Sequence, residues 1–97
     1  MFLMRMHRHG RELVLAAADK ELVGTVLRDE GLKLDVCPEF YEGEEGNEEV
    51  LLNRLTMCSV ANLVGERTVA VAVREGYIND ECILRIAGVP HAQLAKM

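Results

Sequence analysis

The sequence predicts a small mixed α/β (α+β) domain, built as a two-layer sandwich in which helices cover mainly one face of a mixed sheet of four or five strands. Three observations predict this class. The 97 residues fit one domain, and a composition of 49% hydrophobic and 28% charged residues is typical of a globular protein. Apolar residues recur with strand and helix periodicities in the order β-β-α-β-α-α-β-β. We therefore predict a single domain over residues 1–97.

The N-terminal segment is predicted to be a β-hairpin. Apolar residues occupy every second position over residues 2–6, which is the period of a strand. Gly10 interrupts the pattern, and a second apolar run over residues 12–18 follows. This arrangement predicts two antiparallel strands joined by a loop near residues 9–11.

A helix and a third strand are predicted next. Asp19 suits a helix N-cap because its carboxylate can accept hydrogen bonds from the unpaired amides of the first turn. Gly31 can end that helix in a left-handed conformation. Residues 32–37 alternate between apolar and polar side chains, as a half-buried strand does. Pro38 ends this strand because it has no amide hydrogen to donate.

A loop and two helical segments are predicted in the centre of the chain. Residues 38–46 combine glutamates with two of the four aromatic residues and are predicted to be a loop. Asn47 can cap the following helix, which Gly65 breaks or bends. Residues 67–75 fit either a strand or a helix, and the helix is favoured because Gly76 follows as a stop signal.

The chain is predicted to end in two strands joined by a turn. Residues 82–87 form the first strand, residues 88–90 (Gly-Val-Pro) form the turn, and residues 91–96 form the last strand. Side chains two residues apart share one face of a strand, so His91 and Gln93 are expected to project together.

Charge and hydropathy exclude several classes of function. The net charge is −5, with six glutamates and no base between Glu39 and Glu49. General binding to duplex DNA is disfavoured, because such proteins carry a basic stripe. No apolar run approaches the roughly 18 residues of a membrane helix, and the charged N-terminus does not resemble a secretory signal. We therefore expect an acidic cytoplasmic protein that does not contact a membrane.

Several segments of the chain are similar to a known family. They are Phe40-Tyr41-x-Gly43, NLVGER at residues 62–67, Ile83-Leu84-Arg85-Ile86 and GVPHAQ at residues 88–93. Together with the Arg-rich first hairpin, they resemble domain-of-unknown-function family 424, a family of small archaeal proteins. The resemblance covers nearly the whole chain and implies an archaeal cytoplasmic protein with a compact α/β domain. It implies no activity, so it assigns no catalytic residue and no cofactor.

The C-terminal turn is the first candidate site. Gly88 and Pro90 can hold a turn that presents His91 and Gln93 on one side. His91 could act as an acid or base near neutral pH, and Gln93 could donate and accept hydrogen bonds at once. Alternatively, the turn only joins two strands, and His91 hydrogen-bonds to the backbone.

A polar group near Gly65 is the second candidate site. Asn62 falls on the apolar stripe of a predicted helix, where a buried amide must find hydrogen-bond partners. Glu66 and Arg67 follow the glycine, and Arg67 could bind a phosphate or a carboxylate. Alternatively, Asn62 only caps the helix or ties down a loop.

The first hairpin is the third candidate site. Arg5, Arg8 and Arg11, with His7 and His9 between them, could contact an anion or an RNA backbone. They could equally be edge charges that prevent strand-to-strand aggregation. His7 and His9 lie on one face of the predicted strand, but the sequence supplies no third ligand, so no metal site is predicted.

Aromatic and thiol groups give two further candidates. Phe40 or Tyr41 in the acidic loop could anchor a partner, or the loop is solvated with Phe40 folded onto the core. Cys58 and Cys82 are predicted to be buried and Cys37 to be accessible. An enzyme site that pairs Cys37 with His91 requires the two side chains to lie within hydrogen-bond distance.

Two classes of function follow from these candidates. The leading hypothesis is a non-enzymatic binding module that recognises a protein or structured RNA, with a homodimer also allowed. The alternative is a small hydrolase or transferase that uses His91 with Asn62 and Arg67, which requires these three residues to converge. Both depend on the prediction that the histidine-bearing turn and the helix broken at Gly65 lie side by side.

Overall fold

The structure, a computed structural model, describes residues 1–96. Its strands are β1 (Phe2–His9), β2 (Glu12–Asp19), β3 (Val26–Asp29), β4 (Leu32–Asp35), β5 (Glu44–Gly46), β6 (Val60–Val64), β7 (Leu84–Ile86) and β8 (Val89–Ala95). Its helices are α1 (Pro38–Tyr41), α2 (Glu48–Met57) and α3 (Glu66–Arg74), with single 3₁₀ turns at Lys20–Leu22 and Asp80–Cys82. None of these helices is long and apolar enough to cross a membrane.

Six of the strands form one mixed sheet in the order β5-β1-β2-β6-β8-β7. β2 and β6 are parallel, and the other neighbouring pairs in this sheet are antiparallel. β3 and β4 form a separate hairpin. The mixed α+β class is confirmed. The predicted count of four or five strands and the predicted element order are wrong. β3 and β6 lie in segments predicted as helix, and residues 38–46, predicted as a loop, contain α1 and β5.

Apolar layers lie on both faces of the six-stranded sheet. On one face, which we call the helix face, α2 and α3 cover large buried side chains such as Leu63. On the other, which we call the hairpin face, Tyr41 of α1 and Val36 after β4 pack against Ala16 and Ala18. The small alanine side chains leave the space that the tyrosine ring fills, because protein interiors are close-packed.

The segment predicted as a helix over residues 19–31 is instead a 3₁₀ turn followed by the β3–β4 hairpin. Glu30 and Gly31 both have positive φ, 42° and 85°, which is the geometry of the two-residue turn that best joins antiparallel strands. Leu27 and Leu34 pair across this hairpin and pack onto the hairpin face. The turn formed by Glu30 and Gly31 therefore determines the local structure as a hairpin, although the apolar residues before it also fit a helical pattern.

Residues 60–64 form a central strand, although the sequence predicts a helix that continues to Gly65. The helix α2 ends at Met57, and β6 lies between β2 and β8, with its helix face buried and its hairpin face buried in part. A strand covered on both faces shows a nearly continuous apolar run instead of alternation, so its pattern is hard to distinguish from that of a buried helix. The helix predicted at residues 67–75 is confirmed as α3.

Candidate functional site

Strand register places Asn62 and His91 next to each other on the hairpin face. In the antiparallel β6–β8 pair, Asn62 lies opposite Gln93 and Val64 lies opposite His91. Positions two residues apart share a strand face, so Asn62, His91 and Gln93 occupy the same side of the sheet. Ala16 of β2 lies beside Asn62 in parallel register. The tertiary structure therefore brings the predicted amide and imidazole together.

The side chain of Asn62 forms a hydrogen-bonded group with Tyr41 and His91, which we call the Tyr41–Asn62–His91 cluster. The Oδ1 atom of Asn62 lies 2.8 Å from His91 Nε2 and 3.5 Å from the Tyr41 hydroxyl. An amide oxygen has two lone pairs, so it accepts from the phenol and from the Nε2–H of the imidazole. This tautomer, assigned from the hydrogen-bond network, places the lone pair of His91 on Nδ1.

Burial determines the charge state of the Tyr41–Asn62–His91 cluster. It lowers the pKa of His91 below its usual value of 6.5. It also raises the pKa of Tyr41 to about 12, with a further electrostatic contribution from the neighbouring Cys37. At neutral pH, the imidazole and the phenol are therefore both uncharged. The cluster can orient a neutral hydrogen-bonding ligand, and the imidazole can accept a proton as the pH falls.

Two open depressions adjoin the cluster on the part of the hairpin face that α1 and the β3–β4 hairpin leave uncovered. The first has a volume of about 290 Å³ and combines two amides with aliphatic groups. We call it the amide shelf, and it is lined by Val14, Val60, Ala61, Asn62, Gln93, Leu94 and Ala95. The second, of about 320 Å³, includes His91 and shares Gln93 with the shelf.

The structure places Arg67 away from the cluster, against the convergence that the enzyme hypothesis requires. The Nη2 atom of Arg67 lies 2.6 Å from Glu21 Oε1, and its Nε lies 3.7 Å from Asp19 Oδ2. Its guanidinium also lies 5.7 Å from the centre of the Phe2 ring. The separation arises at Gly65, where the chain leaves the sheet and enters α3 on the helix face.

Asp19 caps the start of α3, whereas the sequence predicts that it caps a helix beginning at its own position. Its carboxylate accepts hydrogen bonds from the Thr68 N–H (2.9 Å), the Thr68 hydroxyl (2.8 Å) and the Arg67 N–H (3.2 Å). These groups belong to the first turn of α3, whose own N-cap, Gly65, has no side chain to offer. Gly65 cannot cap α3 itself. A glycine at this position is the sequence signal that could have indicated a capping residue from a distant part of the chain.

The first hairpin carries exposed cations at its end. Arg8 and Arg11 are exposed, and Arg5 donates through Nη1 to a backbone oxygen of α1 (3.0 Å). The half-buried ring of His7 stacks on the ring of Phe40 at a centroid distance of 4.7 Å. The Nε2 atom of His7 lies 2.8 Å from the backbone carbonyl oxygen of Phe40. Within residues 1–96, no three histidine, cysteine or acidic side chains are grouped so that they could hold a metal ion.

The C-terminal turn lies one residue earlier than the sequence predicts. Ala87 and Gly88 have positive φ, 52° and 79°, and they form the link between β7 and β8. Pro90 is buried within β8, and its carbonyl oxygen accepts a hydrogen bond of 2.9 Å from the N–H of Gly65. The histidine-bearing strand and the turn at Gly65 are therefore adjacent, although the sequence predicts a turn and a broken helix at these two places.

Burial corrects three predictions about single side chains. Cys82, predicted to be buried, is exposed because it lies in the 3₁₀ turn before β7 and not in the strand. Cys37, predicted to be accessible, is half-buried, and no hydrogen bond within residues 1–96 joins it to His91. Tyr41 is 2% exposed, so it supports the cluster from within and does not offer its ring to a partner. Cys58 is buried as predicted.

Together, the fold and the cluster define a small α+β protein whose central strands present an amide and an imidazole on the uncovered part of one sheet face. The chain belongs to the family described as "Protein of unknown function (DUF424)", whose model matches residues 7–97, and the family predicted from the sequence is confirmed. The structure is similar to the crystal structure of an uncharacterized conserved protein from Methanopyrus kandleri. The TM-score is 0.79 and the identity 25%, over 99% of this chain and 93% of that chain. No curated protein matches the chain.

Proposed function

We propose that this protein is a cytoplasmic binding module that recognises another protein through the amide shelf. The observation that most supports the proposal is the fixed amide of Asn62, which adjoins an open, largely aliphatic surface beside the exposed Gln93. A backbone peptide group carries one hydrogen-bond donor and one acceptor, and a side-chain amide offers the complementary pair. A shelf with this chemistry suits a polypeptide.

The Tyr41–Asn62–His91 cluster prepares the shelf for binding. Two neighbours hold Oδ1 of Asn62, and because the amide group is planar, its Nδ2 is oriented before a partner arrives. An interface gains affinity when its side chains are already ordered, since fewer rotamers are lost on binding. Val14 and Val60 supply apolar contact area beside this amide.

Recognition of a protein is favoured over recognition of structured RNA. Proteins that bind unpaired RNA stack the bases on exposed aromatic rings. Each of the four aromatic residues of this chain packs against other parts of the chain. Phe2 and Tyr41 are buried, Phe40 stacks on a histidine, and Tyr77 lies beneath a lysine. The net charge of −5 also opposes a polyphosphate backbone.

The positions of Arg67 and His91 weigh against the hydrolase or transferase alternative. That mechanism needs Arg67 beside His91, but the guanidinium is paired with Glu21. The hydrogen-bond partner of His91 Nε2 is an amide oxygen, which is not a nucleophile that a neighbouring base could activate. The geometry is therefore better suited to holding a partner than to transferring a group.

Site-specific photo-crosslinking tests the proposal. Benzoylphenylalanine in place of Gln93 puts the probe on the shelf, and the same probe in place of Glu75 puts it at the exposed end of α3 as a control. After irradiation in host cells and nuclease treatment, we expect a protein adduct from position 93 and none from position 75. An adduct at twice the monomer mass would identify a second copy as the partner. Equal adducts from both positions, or adducts removed by nuclease, would contradict the proposal.

A further inference from the structure

The outer edge of β1 is open along half of its length. β2 pairs with β1 along its whole length, whereas β5 pairs with it only at Phe2–Met4. The chain before β5 passes close to Arg5 at Gly43. Beyond that point, at Met6–His9, no other strand within residues 1–96 pairs with this edge. Backbone N–H and C=O groups on such an edge can pair with a further strand.

In the part of the chain that the structure describes, the cations around this open edge have no carboxylate partners. Within residues 1–96, Arg5, Arg8 and Arg11 form no ion pair, and Arg8 and Arg11 are exposed. Every arginine after residue 50, in contrast, pairs with a glutamate; these are Arg54, Arg67, Arg74 and Arg85. The first hairpin therefore carries positive charge that the described chain does not neutralise.

We infer that the open edge of β1, Met6–His9, is a docking site for an extended acidic segment of a partner protein, which adds to the sheet as a strand. The chain contains a precedent, because β5 (Glu44–Gly46) is an acidic strand that pairs antiparallel with the first half of the same edge. Its two glutamates pair with Arg54 and Lys20 of neighbouring elements. A partner strand would extend this row, with its carboxylates near Arg8.

Charge selects an acidic segment over a second copy of this chain. Two-fold pairing of the edge with itself would place the arginines of one copy beside those of the other, and like charges on paired strands are destabilising. An acidic strand would instead place alternate side chains near Arg8 on the helix face and near His9 on the hairpin face. The inference rests on the proposed function only in taking a protein as the partner, and it concerns a surface other than the amide shelf.

An NMR titration with a defined peptide tests the inference. The probe is acetyl-Glu-Val-Glu-Thr-Glu-Val-Glu-Thr-amide, added at millimolar concentration to the full-length ¹⁵N-labelled protein. We expect the largest amide shifts at Met6–His9 and a Kd about fivefold weaker for Arg8→Ala/Arg11→Ala. The matched control is Arg28→Ala/Lys33→Ala, which removes two cations that lie opposite each other in the β3–β4 hairpin. It should leave the Kd within about twofold of the original value.

A second peptide separates strand addition from charge attraction. N-methylation of alternate peptide nitrogens keeps every charge but removes the donors that a strand ladder needs, and it should weaken binding about fivefold. The inference is overturned if the methylated peptide binds as well as its parent, or if both double variants lose affinity equally. It is also overturned if no amide of Met6–His9 shifts, or if oligouridylate binds there more tightly. If the peptide shifts the amides of Met6–His9 but crosslinking from position 93 fails, only the proposal for the amide shelf is contradicted.

Discussion

A β-carbon at Gly65 would lie 2.6 Å from both carboxylate oxygens of Asp19. The carboxylate of Asp19 occupies that space because it accepts hydrogen bonds from the first turn of α3. Negative charge is favourable there, since a helix N-terminus carries unpaired N–H groups and a partial positive charge. One buried side chain thus joins the end of β2 to the start of α3, and any residue larger than glycine at position 65 would displace it.

Gly65→Ala should destabilise the protein strongly. The φ of Gly65 is +111°, which residues with a side chain avoid, and the added methyl group would also meet Asp19. We expect the free energy of unfolding to fall by about 3 kcal/mol in urea denaturation. Gly76→Ala is the control, because its φ is +81° but a β-carbon there meets nothing within 4 Å. It should cost about 1 kcal/mol through backbone strain, and equal losses would show that the Asp19 contact is unimportant.

Stability should fall in mildly acidic solution because of His91. Burial lowers its pKa in the folded protein below the unfolded value near 6.5, so the unfolded state takes up the proton first as the pH falls. The stabilising contribution is complete above the unfolded pKa and is lost as the pH falls toward the folded pKa. Between about pH 7 and pH 5, urea denaturation should show a smaller decrease for His91→Gln than for wild type. His9→Gln, at an exposed histidine, should match wild type; a matching His91→Gln profile would contradict the prediction.

A carboxylate at position 62 should move the pKa of His91 upward. Oδ1 of Asn62 lies 2.8 Å from Nε2 of His91, and a negative charge at that distance favours the imidazolium. We expect a higher pKa for His91 in Asn62→Asp than in wild type, followed by NMR titration of the ring protons. Asn53→Asp adds the same charge to the exposed surface of α2 and should leave the titration unchanged. An unaltered pKa in Asn62→Asp would mean that the two side chains do not meet in solution.

Thiol labelling should follow the exposure of the three cysteines. Cys82 is exposed, Cys37 is half-buried and Cys58 is buried. Burial also raises the pKa of Cys58, which reduces its reactive thiolate. With iodoacetamide and mass spectrometry, we expect Cys82 to react first, Cys37 next and Cys58 only on unfolding. Cys82→Ser should remove the fast phase alone, whereas rapid labelling of Cys58 in the folded protein would contradict its buried position.

The fold could be predicted where the signal lies in a few neighbouring residues. Alternation on either side of Gly10 indicates the β1–β2 hairpin, which the structure confirms. Asn47 caps α2 as predicted, since its side chain accepts from the N–H of Val50 at 3.0 Å. The helix that precedes Gly76 is also confirmed. Alternation, capping and glycine stops depend on local geometry, so they can be interpreted without knowing which elements meet.

The candidate site could be predicted only in part, because its geometry depends on strand order. A polar residue in an apolar run indicates Asn62 as a candidate, but the run forms a central strand, whereas its pattern predicts a helix. That strand pairs with β8, which brings His91 to the same face. The turn at Gly65 then leads Arg67 to the other face, and no local pattern indicates that change of side.

Amino-acid order alone therefore establishes the α+β class, the first hairpin, the start of α2, the end of α3 and the polar residues that interrupt apolar patterns. Assembly of the whole chain decides their partners: Asp19 caps a helix distant in sequence, and Asn62 meets His91 and not Arg67. The physical reason is one of range. Backbone propensities and helix caps depend on interactions between residues that are close in sequence. Side-chain pairings between distant residues depend instead on the strand order, which is set by the burial of both apolar layers at once.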